Sequence, residues 1–307
     1  MQTPEIPAGG VVVGADGSPS SARAVTWAVE QAVLENRPLL LAHGMGSAEG
    51  HWMAQSALDH KVVLAARQQE AREVLDAAHA QVAALAPDVV VHEVLRAADP
   101  RQLLIELGSK AAFVVLGSHG RGPVTSLLLG SVSVAVTKHA TCPVVVVRPR
   151  HSGHSPGGVL VGTDGTERSR HTLEFAHRQA SLRGLPLTIM HCYWDARNAF
   201  EAARMARGGV VSTLDIEEVR VLVSASLVDL AEKFPDVHVL LELVHGWADD
   251  CLVDASRTVD MVVVGAHRRR PLSTMVYGSV AFSVLEHAGC IVGLVPDPLS
   301  DHRPEPA

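Results

Sequence analysis

The chain has few aromatic residues, few cysteines and no long apolar run, and each shortage excludes a class of protein. Phe, Trp and Tyr make up 4% of its 307 residues, so Val, Leu and Ala have to build the core. The apolar runs, four to six residues long, are too short to span a bilayer. The four cysteines have no CxxC or other metal-ligand spacing, so we expect free thiols in a cytoplasmic protein.

Other absences limit the partners. The formal net charge is −7, which argues against general binding to nucleic acid. The seventeen histidines are scattered without an HEXXH or Cys/His pattern, so no metal site is predicted. The first ten residues, MQTPEIPAGG, lack a basic stretch followed by an apolar one, and no secretory signal is expected.

The chain does contain a second copy of its own pattern, offset by 148 residues. The offset places Asp16 on Asp164 and Ser131 on Ser279. Solenoid repeats are far shorter, so this period indicates a duplicated domain. The predicted parts are a first domain, a linker, a second domain and a flexible tail: 1–148, 149–157, 158–295 and 296–307.

Each copy alternates short β-branched strands with amphipathic helices. The predicted strands of the first copy are 10–14, 39–43, 89–95, 112–116 and 144–148. Those of the second copy are 158–162, 187–191, 237–244, 261–265 and 291–295. This alternation predicts an α/β fold in which each domain is an open, Rossmann-like sheet of five parallel strands with right-handed crossovers.

The last strands of the two copies, 144–148 and 291–295, lie at equivalent sheet edges. An exposed edge has to be paired or protected. We therefore predict that the two strands pair with each other in antiparallel fashion, which would make the chain a pseudo-twofold dimer. Association into a homo-oligomer through another face stays open.

The strongest local motif is the glycine loop, GSHGRGPVTSLLLGSVS, residues 117–133. It follows a predicted strand and runs into a predicted helix, where backbone N–H groups and the helix dipole favour a phosphate. Gly117, Gly120 and Gly130 would let the main chain approach the phosphates. Ser131 and Ser133, in the first helical turn, would place hydroxyls on phosphate oxygens.

Asp16 follows the first strand, beside the expected crevice. In an open parallel sheet a ligand binds at the carboxyl ends of the strands, where the strand order reverses. A carboxylate would repel a phosphate, so we expect Asp16 at the ribose or base end of a nucleotide. The alternative is a turn cap, which Asp-Gly pairs commonly form. The loop is neither a Walker A box nor GxGxxG.

The first-strand Asp, the G-2x-G-9x-G-S spacing and the Cys-Pro-Val strand at 142–147 resemble the universal stress protein family, in the tandem-domain form common in actinobacteria. The resemblance covers 10–148 and 158–295 and implies adenine-nucleotide binding and pairing through the last strand. The implied nucleotide contacts in the first copy are Gly14, Asp16, Gly44, Gly117, Gly120, Gly130, Ser131, Val132 and Ser133. Those in the second copy are Gly162, Asp164, Cys192, Gly265, Arg268, Gly278, Ser279 and Val280.

The second copy departs from this pattern at two positions. Arg268 replaces the middle glycine, and Ala281 replaces Ser133. Loss of the glycine and the hydroxyl argues against binding, whereas Arg268 and its basic neighbours would grip a phosphate. Whether this copy binds nucleotide stays open.

The sequence indicates an ATP-binding stress-response regulator, with Mg²⁺ carried on the phosphates because no acidic cluster offers it a protein site. Two alternatives remain: a weak ATP hydrolase, or an interaction scaffold with a degenerate second pocket. No catalytic residue is predicted. His43 and His191, at equivalent strand ends, are interpreted as structural, and Cys142 and Cys290 as small buried groups.

Overall fold

A computed structural model describes most of both copies. The described residues are 8–46, 57–120, 129–149, 157–193, 221, 223–224, 227–266, 268–269, 276–277 and 279–297. The chain divides into two compact units. The first comprises Met1–Arg150 with Ile291–Pro296, and the second comprises His151–Cys290 with Asp297–Ala307.

The first unit contains the predicted parallel sheet with the strand order β3-β2-β1-β4-β5. Its strands are β1 (Val11–Gly14), β2 (Leu39–Gly44), β3 (Val91–Arg96), β4 (Phe113–Gly117) and β5 (Val144–Val147). Its helices are α1 (Pro19–Glu35), α2 (Ala57–Leu85), α3 (Pro100–Gly108) and α4 (Ser131–His139). Val and Leu side chains of β1, β2, β4 and β5 are buried, as expected for a parallel sheet covered on both faces.

Local signals account for the ends of α1. The Ser18 hydroxyl accepts a hydrogen bond from the Ser21 N–H, and Pro19 fits the first turn because it needs no N–H partner there. At the other end Asn36 adopts φ 50°, a left-handed conformation that terminates helices. Both ends therefore follow from residues within the segment.

The second unit repeats this pattern with four parallel strands in the order β9-β6-β7-β8. These strands are β6 (Val159–Gly162), β7 (Leu187–Tyr193), β8 (Val239–His245) and β9 (Met261–Ala266). The helices are α5 (Arg170–Arg183), α6 (Val228–Lys233), α7 (Ala248–Ala255) and α8 (Ser279–His287). An unpredicted antiparallel pair, β10 (Arg268–Arg269) with β11 (Val276–Tyr277), follows β9.

The last strand of the chain, β12 (Ile291–Pro296), belongs to the first unit. It pairs antiparallel with β5, so that Val292 lies opposite Val146 and Leu294 opposite Val144. The first unit therefore has six strands, five parallel and one antiparallel, while the described residues of the second unit form four parallel strands and the short β10–β11 pair. The pseudo-twofold arrangement of the copies stays a prediction.

Cys142 and Cys290, which precede β5 and β12, are buried, as predicted. Burial raises the pKa of the Cys142 thiol to about 12, so this sulfur behaves as a small apolar group. Within the described part of the chain, no helix is both long enough and apolar enough to cross a membrane.

Candidate functional site

A cavity of about 700 Å³ lies at the carboxyl ends of β1, β2 and β4, beside the start of α4. The strand order reverses here, since β1 is followed along the chain by β2 on one side, while β4 lies on the other. Crevices at such a reversal are the usual ligand sites of open parallel sheets. All nine residues expected to contact nucleotide in the first copy line it: Gly14, Asp16, Gly44, Gly117, Gly120, Gly130, Ser131, Val132 and Ser133.

The apolar wall of the cavity was missed by sequence reasoning. Leu104, Leu116 and Leu129 line it, and each is at most 5% exposed. Pro100 completes this side. These residues come from α3, β4 and the glycine loop, and only the packing of α3 over the sheet brings them together. Their apolar surface suits the flat face of a ligand.

The N-terminus of α4 also lines the cavity. Gly130 is the N-cap residue, with φ −72° and ψ 147°, and it has no side chain with which to cap the helix. The first N–H groups of a helix have no partner within it, so those of Ser131, Val132 and Ser133 remain for another acceptor. The helix dipole makes an anion the favoured acceptor.

Two glycines of the loop are closely packed, Gly117 against backbone and Gly120 against a carboxylate. A Cβ at Gly117 would lie 2.7 Å from the Ser20 carbonyl carbon, and one at Gly120 would lie 2.7 Å from Asp16 Oδ2. Neither is among the described glycines with positive φ. The need for glycine here is therefore one of space rather than of backbone conformation.

Asp16 shapes the turn after β1 and also faces the glycine loop. Its Oδ1 accepts the Ser18 N–H at 2.9 Å, as in an Asx turn. Its Oδ2 is directed at Gly120, as the 2.7 Å clearance shows. The turn-cap interpretation is thus correct for one oxygen. The assignment of Asp16 to the ribose or base end of a nucleotide stays a prediction.

From the sequence we expected the Ser133 hydroxyl to donate to a phosphate oxygen. In the structure its hydrogen points elsewhere. It donates instead to the Gly117 carbonyl at 2.8 Å, which ties α4 to the end of β4. Ser131 is exposed in the first turn. Of the two hydroxyls, Ser131 is the one placed to donate to an anion.

The histidines at the ends of β2 and β7 make the same contact in the two copies. His43 Nδ1 lies 2.5 Å from the Ala15 carbonyl, and His191 Nδ1 lies 3.0 Å from that of Thr163. A carbonyl oxygen only accepts, so each Nδ1 carries the hydrogen. These histidines join neighbouring strand ends, as expected, and His43 also lines the cavity.

Comparison with known proteins agrees with this architecture. The model of the universal stress protein family matches residues 9–148 and again 158–296. The chain belongs to this family. A universal stress protein of Mycobacterium tuberculosis is 32% identical over 291 residues, covering 91% of this chain and 94% of the relative. Another, from Mycolicibacterium smegmatis, is 29% identical over 286 residues, with coverages of 91% and 94%.

The fold similarity extends to solved structures of the universal stress protein family. A universal stress protein from Archaeoglobus fulgidus superimposes with a TM-score of 0.66. It is 18% identical and covers 94% of this chain and 98% of its own. At this identity the likeness concerns the fold of the tandem copies.

The second universal stress domain keeps part of the site. Asp164 Oδ1 accepts from the Thr166 N–H and hydroxyl and from the Ser169 hydroxyl. Gly162, Cys192, Gly265 and Val280 occupy β6, β7, β9 and α8, where the 148-residue offset places them. The backbone of Arg268 lies in β10 and Ser279 begins α8, while Gly278 lies outside the described residues.

Acidic, cysteine and histidine side chains of the described residues are the candidates for holding a metal ion. Within the described ranges, no group of three such residues is arranged to hold a metal ion.

Proposed function

We propose that the first domain binds an adenine nucleotide, ATP with Mg²⁺ carried on its phosphates, and that the protein regulates a stress response according to its nucleotide occupancy. The observation that carries the proposal is the N-terminus of α4, which lacks a side-chain cap and lines the same cavity as an apolar wall. The helix N-terminus thus suits an anion, and the apolar wall suits a planar base.

The residues present fit such a ligand. The cavity volume of about 700 Å³ lies within the range of roughly 300–1,000 Å³ typical of small-molecule sites. The amides of Ser131, Val132 and Ser133 would hold the phosphates, and Leu104 and Leu116 would pack against the base. A bound nucleotide stabilises whichever state it prefers, so occupancy itself can serve as the output.

The decisive experiment removes one amide hydrogen while keeping the helix. Ser131→Pro deletes the N–H at the first helical position, where proline is well tolerated, and the extended conformation of Gly130 suits a following proline. Ser131→Ala is the matched control, because it loses the hydroxyl but keeps the N–H. Both variants are titrated with ATP and Mg²⁺ by calorimetry.

Ser131→Pro should weaken ATP binding about tenfold or more, which corresponds to a charge-assisted hydrogen bond, with an unchanged unfolding temperature. Ser131→Ala should weaken ATP binding less. Equal affinity of Ser131→Pro and the wild type would refute phosphate binding by the Ser131 amide. Absence of ATP binding by the wild type would leave the scaffold alternative.

The same titration counts the sites. A stoichiometry of two would mean that the second domain, with Arg268 in place of a glycine, also binds nucleotide. A stoichiometry of one, with an affinity that falls in Ser131→Pro, would assign the nucleotide to the first domain and leave the second as its structural mate.

A further inference from the structure

Two cysteines meet in the second domain, at the end of β7. Cys192 is the last residue but one of β7, and Cys251 lies in the first half of α7. Their thiols form a hydrogen bond with each other. Both are partly exposed, whereas Cys142 and Cys290 are buried. The accessible sulfurs of the described residues are thus the adjacent ones.

The turn between β8 and α7 creates this contact. The Gly246 N–H donates to the Tyr193 carbonyl at 3.1 Å, which holds the turn beside the residue that follows Cys192. Gly246 has φ +152°, and a Cβ on it would lie 2.8 Å from Cys251 Sγ. The glycine therefore leaves the space that the Cys251 sulfur occupies.

The thiol pair is a property of the second copy. The matching residues of the first copy are Gly44 and Leu103. A Cβ at Gly44 would lie 2.7 Å from the Pro100 Cα, so the first copy has no room for a side chain at this point. The second copy has Ala248 in place of Pro100, and it accommodates the Cys192 thiol beside Cys251.

We propose that Cys192 and Cys251 are a modification site, at which a hydroperoxide converts the two thiols into an intramolecular disulfide. A disulfide requires Cβ atoms about 3.5–4.5 Å apart, so closing the bond from hydrogen-bonded thiols combines rotation of both side chains with an approach of α7 to β7. The bond would fasten the start of α7 to the end of β7.

The hydroperoxide oxidises the two thiols in two steps. The Cys251 sulfur gives up its proton and attacks the peroxide oxygen, the O–O bond breaks, and Cys251 becomes a sulfenic acid while the leaving oxygen takes the proton and departs as an alcohol or water. The Cys192 sulfur then attacks the Cys251 sulfur, and its proton leaves with the hydroxyl as water. Two thiols are oxidised to one disulfide and one peroxide is reduced.

The environment of Cys192 favours this order. Burial, together with the neighbouring Cys251 thiol, raises the pKa of Cys192 to about 12, so this sulfur stays protonated at neutral pH. A protonated thiol reacts slowly with peroxide. Cys192 therefore serves as the resolving group for an oxidised Cys251.

The full-length protein is treated with a slight excess of hydrogen peroxide, alkylated, and digested with trypsin without reduction. The intact mass should fall by that of two hydrogen atoms, and one disulfide should join the peptides 184–197 and 234–257. Dithiothreitol should reverse both changes. Persistence of four free thiols, a stable sulfinic acid at Cys251, or a bond between two chains would overturn the proposal.

Variants locate the bond. Cys192→Ser and Cys251→Ala should each abolish the linked peptides, whereas Cys142→Ala should retain them because Cys142 is buried away from the pair. Circular dichroism of the reduced variants checks that each is folded. A linkage that survives Cys251→Ala would assign the disulfide to other cysteines and refute the pair.

Discussion

At the residue scale, Gly120 lies close against the Asp16 carboxylate at the candidate site. A Cβ at position 120 would approach Asp16 Oδ2 to 2.7 Å, a separation that Cβ atoms do not tolerate. The second copy has Arg268 where the first has Gly120, and retains Asp164 opposite it in sequence. The Asp164 carboxylate accepts a hydrogen bond from the Ser169 hydroxyl, so in the second copy a side chain of the same segment satisfies this aspartate.

Gly120→Ala should lower the free energy of unfolding by about 1 kcal/mol, the usual size of a local steric or backbone penalty. Asp16→Gly should remove the crowding, so the double variant should be more stable than the sum of the single effects predicts. Urea denaturation of the four proteins measures this coupling. Strict additivity would mean that the loop moves away from Asp16 at no cost.

At the scale of elements, α5 and α8 each contain a histidine that contacts the carbonyl four residues before it. The histidine is buried in α5 and exposed in α8. His177 Nδ1 lies 2.8 Å from the Leu173 carbonyl, and His287 Nδ1 lies 3.0 Å from that of Ser283. His177 is 1% exposed and stacks on Phe234 at 5.8 Å, whereas His287 is exposed. Burial lowers the pKa of His177, because the charged imidazolium would lose its hydration.

A lowered pKa means that the folded protein binds fewer protons at His177 than the unfolded chain does. The stabilisation is therefore complete above the unfolded pKa of about 6.5 and is lost as the pH falls below it. His177→Phe should reduce the fall in urea midpoint between about pH 7.5 and about pH 5, and His287→Phe should leave it unchanged. Equal falls in all three proteins would contradict this role of His177.

The bounds of α2 and β3 show which element is set by its local sequence and which by tertiary contacts. Helix α2 (Ala57–Leu85) shows local control, because its buried residues recur at helical spacing: Ala71, Val74, Leu75, Ala78 and Val82. The strand predicted at 89–95 begins two residues later, at Val91, because the Val89 N–H donates to the Ala86 carbonyl in a turn. Its β-branched residues favour a strand, but the pairing of β3 with β2 decides where it begins.

At the scale of the whole molecule, the last strand, β12, covers the sheet edge at β5. β12 adds the sixth strand to the first unit, and its residues Val292, Leu294 and Val295 are at most 4% exposed. Without β12, the four valines of β5 would present an open apolar edge. Such an edge is a template for pairing with another chain.

Deletion of residues 291–307 should therefore lower the urea midpoint and cause self-association, detected by light scattering after gel filtration. Loss of each buried valine or leucine of β12 lowers the free energy of unfolding by about 1.5–3 kcal/mol. Deletion of residues 299–307 is the control, because it retains β12 and should leave both properties unchanged. A stable monomer lacking 291–307 would show that β5 does not need this partner.

By itself the sequence determined the duplication, the alternation of strands and helices, and the glycine loop before α4, because each follows from spacing along a continuous segment. It also indicated nine of the residues that line the cavity of the first domain. Only the tertiary structure placed Gly120 against Asp16, directed the Ser133 hydroxyl to Gly117, and brought the Cys192 thiol beside that of Cys251. These contacts depend on strand order, helix packing and side-chain direction, which a one-dimensional pattern does not specify.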